Sequence, residues 1–326
     1  MALTCLPAVG FDSVSSVLAC SNTYHYRPEK SRLDGAIGYD IAEFPVNFVD
    51  WTSEYHQYLD RKWQKDEPRL LAKFEKSGDF KDQSDYGVAL MHNGKTAEAL
   101  QLFEALIKDH PDEYPIASNL GTAYELAGNN QRALEWIKTA VGLHKDSHEG
   151  TEWLHIRILE SKIAMETDPD WLENNSVSGY DFGRKGKPEI PRQLANDEAE
   201  LQRVFKALRY QLKERVQFVK PTDPIVSRLL FDLSSIVAHL YNLEDAGELN
   251  ALALKYHATR SGPAYELMQK RFTFYDVQTS DSFVGSITRN RTMFIAIGVL
   301  LLALLAIPLK FHLEDARESL KEGEID

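Results

Sequence analysis

Apolar residues recur at intervals of three and four along most of the chain, and this spacing predicts helices. Two stretches between residues 79 and 150 carry such stripes: Leu90, Leu100, Phe103 and Leu106 in the first, and Leu120, Tyr124, Leu134, Ile137 and Ala140 in the second. A further stripe lies between residues 194 and 219, formed by Leu201, Val204, Phe205, Leu208 and Leu212. The pattern therefore predicts an all-α fold.

The two stretches between residues 79 and 150 are copies of one another at a spacing of 34 residues. The matched positions are Gly87 and Gly121, Ala89 and Ala123, Gly94 and Gly128, Ala99 and Ala133, and Leu100 and Leu134. Small residues on both helices of a pair let the helices approach closely, and glycine suits the turn between them. Each copy is therefore predicted to be a helical hairpin, and Pro111 is expected to end the first one.

These hairpins closely resemble the tetratricopeptide repeat (TPR), which has Gly or Ala, Tyr, Ala, Phe, Ala and Pro at fixed places. The first copy departs from that pattern at Leu90, and the second departs from it at Lys145. One further step of 34 residues reaches His155, where Leu154 and Ile158 fit a first helix that has no second helix. The resemblance implies an α-solenoid over residues 79–168 that ends in a closing helix.

The rest of the central sequence divides by composition. Residues 21–78 form an N-terminal region of unclear fold, and residues 169–193 are rich in Gly and Pro, as in a connector loop. Residues 194–275 are predicted to be helical, with Asp223 and Pro224 placed to begin one of the helices. Within this region residues 225–257 resemble a degenerate TPR-like hairpin, in which Asn250 stands where an aromatic residue is usual.

Residues 292–309, TMFIAIGVLLLALLAIPL, are eighteen positions without a charge. A helix of that length spans about 27 Å, close to the roughly 30 Å thickness of the hydrocarbon core of a bilayer. The sequence therefore predicts a single C-terminal transmembrane helix, followed by a charged tail at 310–326. Two basic residues precede the span and three follow it, a balance that favours the tail inside and the body outside.

Residues 1–20 have the apolar and small residues of an export signal but lack a basic start. The tetrapeptide from Val17 to Cys20 loosely resembles the cleavage box of a bacterial lipoprotein. Export would place the body on the periplasmic side of the membrane. If residues 1–20 are not a signal, the same chain is a tail-anchored cytosolic protein, so both locations stay open.

Several segments together resemble a group of bacterial envelope TPR proteins that have a C-terminal transmembrane helix. They are the Cys-Ser-Asn start, DYGVAL, NLGTAYELAG, SHEGTEWLHIRILESKIA, YDFG and YQLKERVQFVKPTDPIV. This resemblance covers most of residues 19–260 and implies a bacterial envelope context. It implies no activity, so it supplies no catalytic residues for this chain.

Composition excludes several function classes. The chain has 49 acidic and 37 basic residues, a net charge of −12, and no dense stripe of Lys or Arg, which argues against nucleic-acid binding. Its two cysteines, Cys5 and Cys20, both lie near the start, so the body has neither a disulfide framework nor a thiolate metal site. Because the sequence lacks nucleotide-binding and nucleophile motifs, we expect no cofactor and no catalysis.

A peptide partner would lie in the concave groove that the first helices of TPR hairpins form. By analogy, the residues that face the groove are Ser84, Val88, Met91, Ser118, Asn119, Thr122, Glu125, Glu149, Glu152 and Ile156. Asn119 is the one position shared with TPR clamps for terminal carboxylates, whereas the three glutamates favour a basic or neutral peptide. The predicted function is a membrane-anchored scaffold that binds a protein or peptide.

Two alternatives to this scaffold stay open. His148, Glu152 and His155 are spaced by four and three residues, so they are a candidate divalent-metal site on one helix face. In that case the chain would be an envelope metal-binding protein or an enzyme that also uses the connector near Arg184. The second alternative is that the array mainly mediates self-association, which predicts a concentration-dependent mass.

Overall fold

The computed structural model describes residues 22–25 and 54–280, and in these ranges all regular structure is helical. The helices are α1 (Glu54–Ser77), α2 (Phe80–His92), α3 (Thr96–Asp109), α4 (Tyr114–Leu126), α5 (Asn130–Leu143), α6 (Glu152–Thr167), α7 (Trp171–Asn174), α8 (Arg192–Ala195), α9 (Glu198–Arg215), α10 (Pro224–Leu240) and α11 (Leu243–Tyr256). The chain divides into two compact units after Phe274. The first unit ends in helix α12 at 263–274, and the described residues of the second unit, 275–280, are also helical.

The helical hairpins predicted from the repeat are present as α2 with α3 and α4 with α5. Their turns contain Gly94 (φ +72°) and Gly128 (φ +79°), a left-handed conformation that glycine adopts without a steric penalty. Helix α3 ends two residues before Pro111, and α6 follows as a closing helix. The expected helical array is therefore confirmed for these residues.

Glycine lets the two helices of each hairpin come into close contact. A Cβ atom added to Gly87 would lie 2.7 Å from Phe103, and one added to Gly121 would lie 2.7 Å from Ile137. Phe103 and Ile137 are both fully buried. The side chain of the second helix therefore fills the space that a side chain on the first helix would need.

Helix α1 fills much of the region that the sequence left without a predicted fold. Its Trp63 ring stacks on the His92 ring of α2 at 4.1 Å between centroids, and His92 stacks in turn on Phe218 at 4.3 Å. Burial lowers the pKa of His92 to about 3, so the ring is neutral between its two aromatic neighbours. This stack joins α1 and the segment after α9 to the first hairpin.

The helices after the array have the predicted apolar faces and caps. The Asp223 carboxylate accepts a hydrogen bond from the Val226 N–H at 2.8 Å, which confirms the predicted start of α10. Asn250 of α11 is buried, and its Nδ2 donates to the Met268 carbonyl of α12 at 2.7 Å. Where the repeat usually has an aromatic residue, this chain therefore has an amide that binds the backbone of the next helix.

The connector predicted at 169–193 packs against neighbouring helices instead of forming an open linker. The Ser176 and Ser178 hydroxyls donate to the buried Asp232 carboxylate of α10 at 2.5 and 2.7 Å. Arg157 Nε of α6 donates to the Val177 carbonyl at 2.9 Å. These polar anchors, which are far apart in sequence, hold the loop on the surface of α6 and α10.

Within residues 22–25 and 54–280, no helix is both long enough and apolar enough to cross a bilayer. The predicted transmembrane helix at 292–309, the tail at 310–326 and the segment 1–20 all lie outside the described residues.

Candidate functional site

The predicted groove residues are mostly buried instead of lining an open channel. Seven of the ten are buried, namely Ser84, Val88, Met91, Ser118, Asn119, Thr122 and Glu152. Ile156 is half-buried, and the side chain of Glu125 is only 8% exposed. The groove faces of α2, α4 and α6 are thus covered by other parts of the same chain.

Glu149 lies elsewhere than expected. It precedes α6 in a short 3-10 turn at Ser147–Gly150, where its φ is +59° and that of His148 is +47°. Positive φ angles interrupt a right-handed helix, so this residue is not on the groove face of the closing helix. Its exposed side chain forms an ion pair with Lys206 of α9 at 2.9 Å.

Residues 22–25, called the docked segment below, lie against α2 and α4. The Asn22 N–H donates to Asn119 Oδ1 at 2.6 Å, and Asn119 Nδ2 donates back to the Asn22 carbonyl at 2.9 Å. Asn119 is fully buried, and its Nδ2 also lies 3.4 Å from Ser84 Oγ. One carboxamide therefore binds both backbone groups of a single residue in the docked segment.

Asp85 of α2 is the second residue that binds the backbone of the docked segment. Its Oδ1 accepts the Tyr24 N–H at 2.6 Å, and its Oδ2 accepts the His25 N–H at 2.9 Å. Asp85 itself is fully buried. Hydrogen bonds from N–H groups to an ionised carboxylate are shorter and stronger than neutral ones, so this pair holds two consecutive residues in place.

The side chains of the docked segment also have specific partners. Tyr24 Oη donates to Glu113 at 2.7 Å, and burial together with this bond raises the pKa of the phenol. His25 Nδ1 lies 2.9 Å from Asp82 Oδ1, which Lys73 contacts at 2.6 Å. Burial alone would raise the pKa of Asp82, but its bonds to Lys73 and His25 outweigh burial and lower the pKa to about 2.

Asn119 was predicted from the sequence as a groove residue, whereas Asp82, Asp85 and Glu113 were not. A signal was present, since Asp82 and Asp85 lie within two positions of the predicted groove residue Ser84 in the first helix. Two acids within an otherwise buried helix face require partners. Those partners come from residues about sixty positions earlier, which no local pattern could reveal.

A second polar cluster lies on α6 beside the groove. Glu152 accepts hydrogen bonds from His148 and from His155 Nδ1, one on each carboxylate oxygen, and the second distance is 3.1 Å. Burial alone would lower the pKa of each imidazole, but the neighbouring carboxylates outweigh burial and raise both. The candidate metal ligands His148, Glu152 and His155 thus form a hydrogen-bonded chain and do not converge on one point.

The chain continues to Glu125 of α4. His155 Nε2 lies 2.8 Å from Glu125, whose carboxylate also contacts Lys162 at 2.7 Å and Arg215 at 2.6 Å. Burial would raise the pKa of Glu125, but Arg215, Lys162 and His155 hold it well below its ordinary value. Arg215 is the last residue of α9, so this carboxylate joins the array to the helices that follow it.

Glu214, next to Arg215, is fully buried, and neither of its carboxylate oxygens has a hydrogen-bond partner among the described residues. Burial raises its pKa to about 7, although His148 acts in the opposite direction. A buried carboxyl group without hydrogen bonds is more stable protonated, because ionisation in a poorly solvated site is costly.

This cluster predicts an unusual dependence of stability on pH. Glu214, His148 and His155 have raised folded-state pKa values, so they stabilise the fold fully at low pH and lose this contribution as the pH rises through those values. Glu125 and Glu152 have lowered values, so their contribution is lost below about pH 4.5. Because Glu214 loses its contribution progressively between its ordinary pKa and about pH 7, we expect maximal stability near pH 5 and a decline toward pH 8.

Thermal unfolding of the full chain by circular dichroism at pH 5 and pH 8 measures this decline. Glu214→Gln removes one titrating group with little change in shape. It should stabilise the protein at pH 8 by on the order of 2 to 3 kcal/mol relative to the wild type, while leaving pH 5 nearly unchanged. Equal stabilities of wild type and variant at pH 8 would contradict the assignment.

Among the described residues, the group with the spacing of a metal site is instead His25, Asp82 and Asp85, whose ligand atoms lie within 4.8 Å of one another. His25 is itself part of the docked segment, and Asp82 is paired with His25 and with Lys73. Both Asp85 oxygens accept backbone N–H groups. The arrangement is therefore that of a peptide contact.

The geometry of the described residues defines a class of protein, a helical repeat protein whose first helices bind a short non-helical segment of the chain. Residues 86–148 match a family model described as tetratricopeptide repeat. The matched residues begin within α2 and end in the short turn before α6, so they cover most of the first hairpin and all of the second. This match supports the interpretation of the array as a TPR α-solenoid. No curated protein matches the chain significantly.

Proposed function

We propose that this protein is a membrane-anchored scaffold that binds a partner protein through a peptide held in its TPR groove. TPR arrays are associated with protein–protein interaction, and the match at residues 86–148 supports that role here. The observation that carries the proposal is the docked segment. Asn119 and Asp85 bind its backbone N–H and carbonyl groups, which every peptide offers, so the groove contains the elements of a peptide-binding site.

Membrane attachment is part of the proposal and is supported by sequence. Residues 292–309 carry no charge and are long enough for one span. The charge balance around them and the character of residues 1–20 favour a body on the periplasmic side, and a cytosolic, tail-anchored protein is the alternative. The compartment of a captured partner would distinguish the two locations.

The scaffold role is tested by crosslinking in cells, detergent purification of the tagged full-length chain, and mass spectrometry. We expect a stoichiometric partner that is lost in Asn119→Ala and kept in Asn196→Ala, an exposed position outside the array. Because Asn119 is buried, circular dichroism must show that the groove variant is folded. Recovery of the protein alone, or of a partner that does not depend on Asn119, would contradict binding in the groove.

A further inference from the structure

The contacts of the docked segment indicate which peptide chemistry the groove can bind. Its four residues are Asn22, Thr23, Tyr24 and His25, and all except His25 are half-buried. They lie on the surface of the array and not within its core. A segment in this position can be exchanged for another without opening the packing of α2 against α3.

The backbone contacts set the first requirement for a ligand. The groove receives N–H groups from three of the four positions and one carbonyl, through Asn119 and Asp85. Proline has no N–H, so a ligand cannot carry proline at the first, third or fourth position. The segment must also bend at its third and fourth positions, as residues 24 and 25 do, because consecutive N–H groups of an extended strand point to opposite sides and could not both reach one carboxylate.

The side-chain contacts set the second requirement. The Tyr24 ring packs edge-on against Phe80 with centroids 5.8 Å apart, Lys81 Nζ lies 5.5 Å from its centroid, and its hydroxyl donates to Glu113. Phenylalanine would fill the same space but leave Glu113 without this donor. The fourth residue faces the carboxylate of Asp82, which favours a cation or a hydrogen-bond donor there.

We propose that the partner carries an exposed segment of this chemistry, a residue other than proline, any residue, tyrosine and then a basic residue, with a bend at the last two positions, and that residues 22–25 compete with it for the groove. This inference rests on the proposed function and specifies its ligand. Asp82, Asp85 and Glu113 outnumber the neighbouring Lys73 and Lys81, so the site keeps a net negative charge that suits a basic residue. A tethered segment acts at an effective concentration on the order of millimolar, so the docked segment weakens the binding of any free peptide.

The test uses a fluorescein-labelled peptide with the sequence of residues 21–26, Ser-Asn-Thr-Tyr-His-Tyr, and fluorescence anisotropy with the full-length protein in detergent. The double variant Tyr24→Ala, His25→Ala removes the competing side chains and leaves the groove unchanged. We expect this variant to bind the peptide about tenfold or more tightly than the wild type does. Tyr241→Ala, an exposed position outside the array, is the matched control and should bind as the wild type does.

Two further measurements define the chemistry. A peptide with phenylalanine in place of its first tyrosine should bind the double variant about tenfold more weakly. Adding Asp85→Asn to the double variant should abolish measurable binding, with circular dichroism confirming that the protein is folded. If the peptide binds the double variant no more tightly than the wild type, or binds equally well without the Asp85 carboxylate, the inference is wrong. A partner captured from cells through Asn119 would then still support the scaffold, so the two proposals fail separately.

Discussion

Glu125→Ala is expected to lower the free energy of unfolding by about 3 to 5 kcal/mol, the range found when one partner of a buried ion pair is removed. The Glu125 carboxylate contacts Arg215, Lys162 and His155 at 2.6 to 2.8 Å. Only 5% of the Arg215 side chain is exposed. Without Glu125, the Arg215 guanidinium and the charged His155 imidazole stay buried but lose the carboxylate that they share as a counter-charge. Urea denaturation of the full chain at pH 6 measures the loss.

A paired replacement tests this explanation. Glu125→Leu combined with Arg215→Met removes the buried Glu125–Arg215 charge pair, leaves His155 paired with Glu152, and should recover at least half of the stability lost in Glu125→Ala. Lys138→Ala is the matched control, because its ion pair with Glu160 is about half exposed on both sides and should contribute less than about 0.5 kcal/mol. If Lys138→Ala and Glu125→Ala proved equally destabilising, burial would not be the cause.

Gly121→Val is expected to destabilise the protein by about 3 kcal/mol or to prevent folding of the second hairpin. A Cβ at this position would lie 2.7 Å from Ile137 Cδ1 and 3.2 Å from the Ile137 backbone nitrogen, so α4 and α5 would have to move apart. The change should appear as a lower urea midpoint. It should also reduce peptide binding, since Asn119 lies two residues earlier on the same helix.

Gly142→Ala on α5 is the control for this prediction. No atom lies within 4 Å of a Cβ added there, so alanine should be neutral or stabilise the helix by about 0.5 to 1 kcal/mol. A similar loss of stability in Gly142→Ala and Gly121→Val would show that the cost arises from glycine replacement in general and not from helix contact.

The helical array could be predicted from sequence because its determinants are local and repeated. Gly87 and Gly121 mark the close helix contacts, and Gly94 and Gly128 mark the turns, each pair at the same spacing of 34 residues. Asp223 predicted a helix start for a similar reason, since a cap depends on residues three positions apart. These features need no knowledge of the rest of the fold.

The state of the groove could not be predicted in this way. Asn119 was identified as a groove residue from its place in the repeat, but its partner Asn22 lies 97 positions earlier. Glu125 was assigned to a basic ligand, whereas in the structure it binds Arg215, which lies 90 positions later. Both residues follow the repeat pattern, and yet each is bound by a different part of the same chain.

The sequence by itself determined the helices of the repeat array, their pairing into hairpins and the polar positions on the first helices, because periodicity and small residues act over a few turns. Only the tertiary structure decided which groups those polar positions bind. Buried carboxylates and amides must be paired, and the donors that pair them come from segments brought together by folding. That requirement places the docked segment on Asp85 and Asn119, and Arg215 on Glu125.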